Sequence, residues 1–233
     1  RTGRFAEALP YLEKSAQRTG LPRGDRYVLG YAYYRAGEHK KALDQFNPVA
    51  QGTDSLAQTA AYHMADCYLK LNEKNYARTA FKRAYEMGKD PKVTEDALFN
   101  YAKLSYELSF DPYHEAILAL RDYLKKYPGS PRNDEAQGFL LAMYIKTRNY
   151  EDALATLVAI KSMPLPLQAA YQNLAFDRGV ELYEGRKFQD AALFFEKALR
   201  FPVDPEANAK AHYWMGESYF AQEDYDAALR KYD

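Results

Sequence analysis

Cysteine occurs once, at Cys67, so no internal disulfide can tie this chain together, and a single thiol does not separate a reducing compartment from an oxidising one. Glycine (12) and proline (11) are sparse while hydrophobic residues reach 47%, a balance that excludes a disordered chain. No long apolar run exists either. The longest, Phe139 to Ile145 in FLLAMYI, falls far short of the ~20 residues of a membrane span, so no direct span is expected. Net charge is missing too: Lys plus Arg (32) balance Asp plus Glu (32), and the summed field favours neither nucleic acid nor an acidic membrane surface as partner. The sequence opens at Arg1 with no charged-then-apolar leader, so any targeting segment is expected outside these residues.

What is abundant is tyrosine (22), phenylalanine (12) and alanine, and these recur in order. Ala42 stands four before Phe46, Ala77 before Phe81, Ala116 before Leu120, Ala153 before Leu157, Ala191 before Phe195 and Ala228 before Tyr232, with Ala8 and Leu12 opening the series. The alanines are separated by 34, 35, 39, 37, 38 and 37 residues. A ring usually lies three before each: Phe5, His39, Tyr113, Tyr150, Phe188 and Tyr225, with Lys74 the exception. A small residue precedes several alanines by twelve, as Gly30, Ala65, Gly179 and Gly216. Each unit thus holds two helix-length segments with apolar residues at helical spacing, and nothing alternates as a strand does. Breaks within units are expected at Gly37, Asn72, Arg148 to Asn149, Gly185 and Glu223 to Asp224. Between units, KDP (89–91), YPGSP (127–131), SMPLP (162–166) and FPVDP (201–205) end one helix and open the next.

A helix pair of this length cannot enclose a core and must bury a face on its partner and its neighbours. Gly30 and Ala42 are therefore read as points of close backbone approach, with Phe46 filling the space beside them. That makes the glycine a packing residue, not part of a ligand loop.

The segments LGYAYYRAGEHKKALDQF, MADCYLKLNEKNYARTAFKRA, GVELYEGRKFQDAALFFEKAL and MGESYFAQEDYDAALRKY resemble the tetratricopeptide repeat family. The resemblance implies an all-α, right-handed α-α superhelical solenoid forming one array over 1–233. It implies a second helix of a partial repeat over 1–20, complete repeats over 24–51, 57–89, 94–128, 132–163 and 168–202, and a partial repeat over 206–233. Both ends fall inside a unit, so the chain is expected to be a fragment of a longer array whose exposed ends open a route to self-association. Three departures from the family pattern stand out. The large ring near the start of the first helix is missing in most units, Trp214 being the sole tryptophan. Ala102 lies fourteen before Ala116 instead of twelve, and Leu141 occupies a small-residue position.

The family implies that the first helices line the concave side. One stripe there, spaced i, i+4, i+7, reads Tyr27, Tyr31, Tyr34; then Tyr62, Asp66, Leu69; Phe99, Lys103, Tyr106; Gly138, Ala142, Ile145; Phe176, Val180, Tyr183; and Tyr213, Glu217, Phe220. Rings bury much area at low rotamer cost and are enriched at binding hot spots. The stripe is expected to grip a peptide or protein segment, with Asp66, Lys103 and Glu217 adding selectivity. The competing reading has these rings packing on the adjacent unit. The set of lysines, arginines and asparagines with which some members of the family hold an acidic chaperone tail is not supplied, since Tyr27, Tyr62 and Phe99 stand in its place.

No chemistry is expected. His39, His63, His114 and His212 are scattered at no metal-ligand spacing, GESYF (216–220) lacks the second glycine of a nucleophile elbow, and no phosphate-cradling loop occurs. The acidic pairs Glu7/Glu13 and Asp224/Asp226 read as solvated faces, and Cys67 reads as a buried thiol. The sequence therefore predicts a non-enzymatic interaction scaffold with no cofactor and no metal, binding other proteins or peptides and not nucleic acid. The alternative is a glycan- or peptidoglycan-binding solenoid, because sugars also stack on rings. LRDYLKKYPGSPRNDEA (120–136) is similar to linkers of bacterial envelope members of the family, which leans the expected location to the periplasm, with the cytoplasm as alternative.

Overall fold

The computed structural model describes residues 4–16, 21–108, 114–158, 163 and 165–232. Residues 109–113, Tyr113 among them, Pro164 and Asp233 lie outside these, as do the side chains of Phe5, Glu7, His114 and Pro166. Among the described residues every regular element is an α-helix. In order they are α1 (Arg4–Ala16), α2 (Arg23–Arg35), α3 (His39–Ala50), α4 (Ser55–Lys70), α5 (Lys74–Met87), α6 (Pro91–Leu108) and α7 (His114–Lys126). There follow α8 (Asn133–Lys146), α9 (Tyr150–Val158), α10 (Leu165–Glu184), α11 (Phe188–Ala198), α12 (Pro205–Phe220) and α13 (Tyr225–Tyr232). The helices form two compact units, Arg1–Phe139 and Leu140–Asp233, with the boundary inside α8.

Linker chemistry sets where helices begin. Asp54 accepts from Ala57 N–H at 2.9 Å, and Asp90 accepts from Lys92 and Val93 N–H at 2.9 and 3.0 Å ahead of Pro91. Asp204 accepts from Glu206 N–H at 2.9 Å ahead of Pro205. Each carboxylate satisfies backbone donors that have no partner inside the helix, and proline in the first turn loses no hydrogen bond.

The turn inside each helix pair repeats one geometry. Gly37, Asn72, Arg148, Arg186 and Glu223 all have positive φ (82°, 61°, 54°, 58° and 63°), and each lies five before the repeat alanine. In every case the next residue's N–H reaches five residues back: Glu38 to Tyr33, Glu73 to Tyr68, Asn149 to Tyr144, Lys187 to Leu182 and Asp224 to Tyr219. This left-handed cap satisfies carbonyls that the helix end would leave bare. At the expected break α10 ends at Glu184: Gly185 still donates to Glu181 C=O, and Arg186 takes the left-handed φ. A left-handed residue with a Cβ is strained by about 1–2 kcal/mol, a cost glycine escapes. Arg186→Gly and Glu223→Gly are each expected to raise stability by about 0.5–1 kcal/mol, and Gly37→Ala to lower it by at least as much. Thermal unfolding followed by circular dichroism reads the sign directly.

Packing follows the register read from the sequence. Ala42, Ala77, Ala153 and Ala191 are 0% exposed, as are Phe46, Leu120, Leu157 and Phe195, so the pairs four apart form the spine of each unit. The glycines lie under those rings. A Cβ on Gly30 would meet the Phe46 ring at 2.9 Å, and one on Gly179 would meet the Phe195 ring at 2.6 Å. Leu141, at a small-residue position, is buried at 8% exposure, and the residue four after its repeat alanine is Leu157, not a ring.

Successive pairs are tied by a side chain seven residues before the small position. Gln58 is wholly buried and makes four bonds: it donates to Ala84 C=O at 3.0 Å and Thr94 Oγ1 at 2.9 Å, and it accepts from Lys89 and Asp90 N–H at 3.1 and 2.6 Å. Gln172, in the second unit, accepts from Asp204 N–H at 3.0 Å. At the same register Arg23 donates to Val49 C=O at 3.2 and 2.9 Å and pairs with Asp54.

Candidate functional site

First helices of successive pairs touch along the stripe: α2 on α4 and α4 on α6 in the first unit, α10 on α12 in the second. The contact is an interlock of rings. His63 receives Tyr31 at 5.2 Å, Tyr34 at 5.4 Å and Tyr27 at 6.1 Å between centroids. Phe139 receives Tyr106 at 4.8 Å, and Trp214 receives Tyr183 at 5.1 Å. All three receiving side chains lie two residues before the small position, at Ala65, Leu141 and Gly216. The stripe's last ring also closes the turn inside its own pair. Tyr34 meets His39 at 6.0 Å, Tyr183 meets Phe188 at 5.2 Å and Phe220 meets Tyr225 at 5.4 Å. Where Lys74 replaces the usual ring, Tyr68 stacks on Tyr76 at 5.4 Å and supplies the same closure.

These contacts divide the thirteen sequence-derived site residues. In the first unit Tyr27, Tyr31 and Tyr34 are half-buried, each with one side packed on rings. Burial pushes the Tyr27 hydroxyl up to about 12. Tyr62 packs on Phe81 at 5.4 Å and donates to Asp96, which Arg132 also engages. Phe99 is 4% exposed, wedged on Tyr123 at 5.2 Å with the Arg132 guanidinium 4.9 Å from its ring centre; it is a core residue. Lys103 pairs with Glu135 at 2.8 Å and lies 5.7 Å from the Phe139 ring centre, so its charge is already engaged.

Asp66 differs from the other charges of its face. It is half-buried, and the Tyr34 hydroxyl donates to it at 3.5 Å. Burial first, and the nearby Asp96 second, push its carboxyl up to about 6. Burial alone pushes the His63 imidazole down to about 4, so it is neutral near pH 7, and its Nδ1 has no hydrogen-bond partner. Cys67 is buried, its thiol pushed up to about 12 by burial and then by Asp66, which makes it a poor nucleophile.

In the second unit Phe176 lies on Phe195 at 5.6 Å, while Tyr213 and Phe220 are 51% and 56% exposed. Glu217 accepts from Tyr232 Oη at 2.6 Å. The side chain of His114 lies outside the described residues, and no cluster of His, Cys, Asp or Glu able to hold a metal occurs among them. Neither does any described helix have the length and apolar character to cross a membrane.

Sequence profiles match three stretches of the chain. One described as anaphase-promoting complex, cyclosome, subunit 3 covers residues 1–84, and two described as tetratricopeptide repeat cover 96–130 and 176–233. Among solved structures, that of Naa15/Naa10 bound to HypK-THB superimposes with a TM-score of 0.60 at 14% identity, covering 99% of this chain and 34% of that one. The chain therefore spans about a third of that relative's length. YrrB, described as a TPR protein with an unusual peptide-binding site, gives 0.48 at 15% identity, over 91% of this chain and 98% of that one. A tetratricopeptide repeat protein from Parabacteroides merdae gives 0.43 at 19%, over 98% and 79%. No curated protein matches the sequence. At 14% identity the first of these is a likeness of fold alone.

Proposed function

The chain is built of tetratricopeptide repeats, whose families are generally non-catalytic scaffolds, and we propose that it holds a peptide or protein segment on the ring stripe of its first helices. The observation that carries this is the half-exposure of Tyr27, Tyr31 and Tyr34 while their other sides are fixed against His63. Rings held this way lose little rotamer entropy when a partner covers them, and covering them removes apolar area from water. In the second unit, Tyr183, Tyr213 and Phe220 offer the equivalent rings, with Glu217 beside them. Asp66, Lys103 and Tyr106 complete the stripe in the first unit. Phe99 supports it from beneath. One array over residues 1–233 remains our reading of the repeat register, which continues at 37 residues from Ala116 to Ala153.

The test is photo-crosslinking in the native host, with a benzophenone amino acid placed at Tyr31, at Tyr213 or at the outward-facing Tyr76, which is 61% exposed. Defined adducts at the first two positions and none at Tyr76 are expected. Truncating Tyr31 and Tyr34 together to alanine should then weaken capture of the crosslinked partner by ~2 kcal/mol or more, about thirtyfold. Adducts at Tyr76 alone would move the binding face to the other side of the helices. Quenching of Trp214 fluorescence by soluble glycans in place of peptides would favour the sugar-binding alternative.

A further inference from the structure

Three acidic residues on the first helices of the first unit are neutralised by cations. Asp96 pairs with Arg132, Glu107 with Lys74 at 2.7 Å and Glu135 with Lys103 at 2.8 Å. Asp66, inside α4 and half-buried on the ring stripe, is not. Among the described residues it has no ion pair; Lys70, one turn along its own helix, acts on it only through space, and Asp96 opposes its charge. Its single close donor is the Tyr34 hydroxyl. A half-buried carboxylate without a cation is unfavourable in the free protein, and an arriving cation removes that penalty. The surroundings suit one. Tyr34 from α2 and Tyr62 one turn before Asp66 bring aromatic rings to the same face, and ring faces attract lysine and arginine head groups.

We infer that the segment held by the first unit carries a lysine or arginine side chain that pairs with Asp66 between Tyr34 and Tyr62. This rests on the ring stripe being the binding face and adds the charge of what binds there. The accounting also argues against an acidic ligand residue at this point: it would face Asp66 and Asp96 together, and the nearby cations Arg132 and Lys103 are engaged.

The probe is a random linear peptide library displayed on phage and selected on this chain, with the selected peptides then synthesised and their affinities measured by fluorescence anisotropy. A basic residue is expected at one shared position. Replacing it by norleucine should weaken binding about tenfold to the unaltered protein and change little for Asp66→Asn. The coupling in that cycle is the readout, and Asp66→Asn preserves shape, so the variant is expected to melt no lower than the parent. Selected peptides without a basic residue, or a norleucine penalty equal in both proteins, would overturn the inference while leaving the stripe in place. Recovery of no peptides, or binding indifferent to Tyr31→Ala, would sink the stripe reading and this inference with it.

Discussion

Gly179→Leu is expected to cost ~1–3 kcal/mol of stability or more, because the contact beneath it has no slack. A single Cβ at this position would lie 2.6 Å from the Phe195 ring, which is 0% exposed and fixed on Phe176 at 5.6 Å. The ring cannot swing away without opening the core of its helix pair, so even Gly179→Ala should destabilise. Gly216 supplies the control. Its Cβ would come equally close to a ring, 2.5 Å from Tyr232, but Tyr232 is 42% exposed and can rotate outward. Gly216→Ala is therefore expected to cost much less than Gly179→Ala, although the two clashes look alike on paper. Combining Gly179→Ala with Phe195→Leu should recover part of the loss, since the repeat with Ala102 at the small position carries Leu120 where others carry a ring. Urea unfolding of the four variants decides the matter; equal losses at positions 179 and 216 would show that ring mobility does not set the cost.

The second large effect is expected at Gln58. Gln58→Leu keeps the volume and removes all four hydrogen bonds, leaving Lys89 and Asp90 N–H without their acceptor and Ala84 C=O without this donor. Each unsatisfied group costs about 1–3 kcal/mol, and partial access of water to the linker brings the expected total to roughly 2–4 kcal/mol. Gln58→Glu separates the two halves of the interaction. A carboxylate still accepts from both backbone N–H groups, but it has no proton for Ala84 C=O and it places a charge in a wholly buried position. Near pH 7 it should fall close to the leucine variant. At lower pH a protonated carboxylic acid restores one donor, so the gap to the parent is expected to narrow. Amide exchange at Lys89 and Asp90 reports on the same clamp locally.

The repeat and its packing were legible because alanine, glycine and ring positions obey a spacing fixed within one helix pair. Gly30, Phe46, Gly179 and Phe195 could be placed before any coordinates, and their burial follows that reading. What the sequence left undecided depends on the offset between neighbouring helices, which no single-helix period contains. The stripe Tyr62, Phe99, Tyr213 looks uniform in sequence, yet Tyr62 is occupied by Asp96, Phe99 is buried under Arg132 and Tyr213 is half exposed. The receiving positions His63, Phe139 and Trp214 share a register but not a residue type, which hid them. The same holds for the ties at Arg23, Gln58 and Gln172, whose common feature is position plus polarity. Arg186 shows the limit in miniature: the break at Gly185 was legible, but the left-handed residue is its neighbour.

Those ties reach only short distances along the chain. Gln58 reaches residues no more than 36 positions away, and the longest described side-chain ion pair, Lys197 with Glu151, spans 46. Low contact order of this kind goes with fast folding, because little loop-closure entropy must be lost before native contacts reward it. A ribosome would therefore need to release only about one repeat beyond a given clamp before that clamp could close, and the chain could acquire its native contacts stepwise as it emerges.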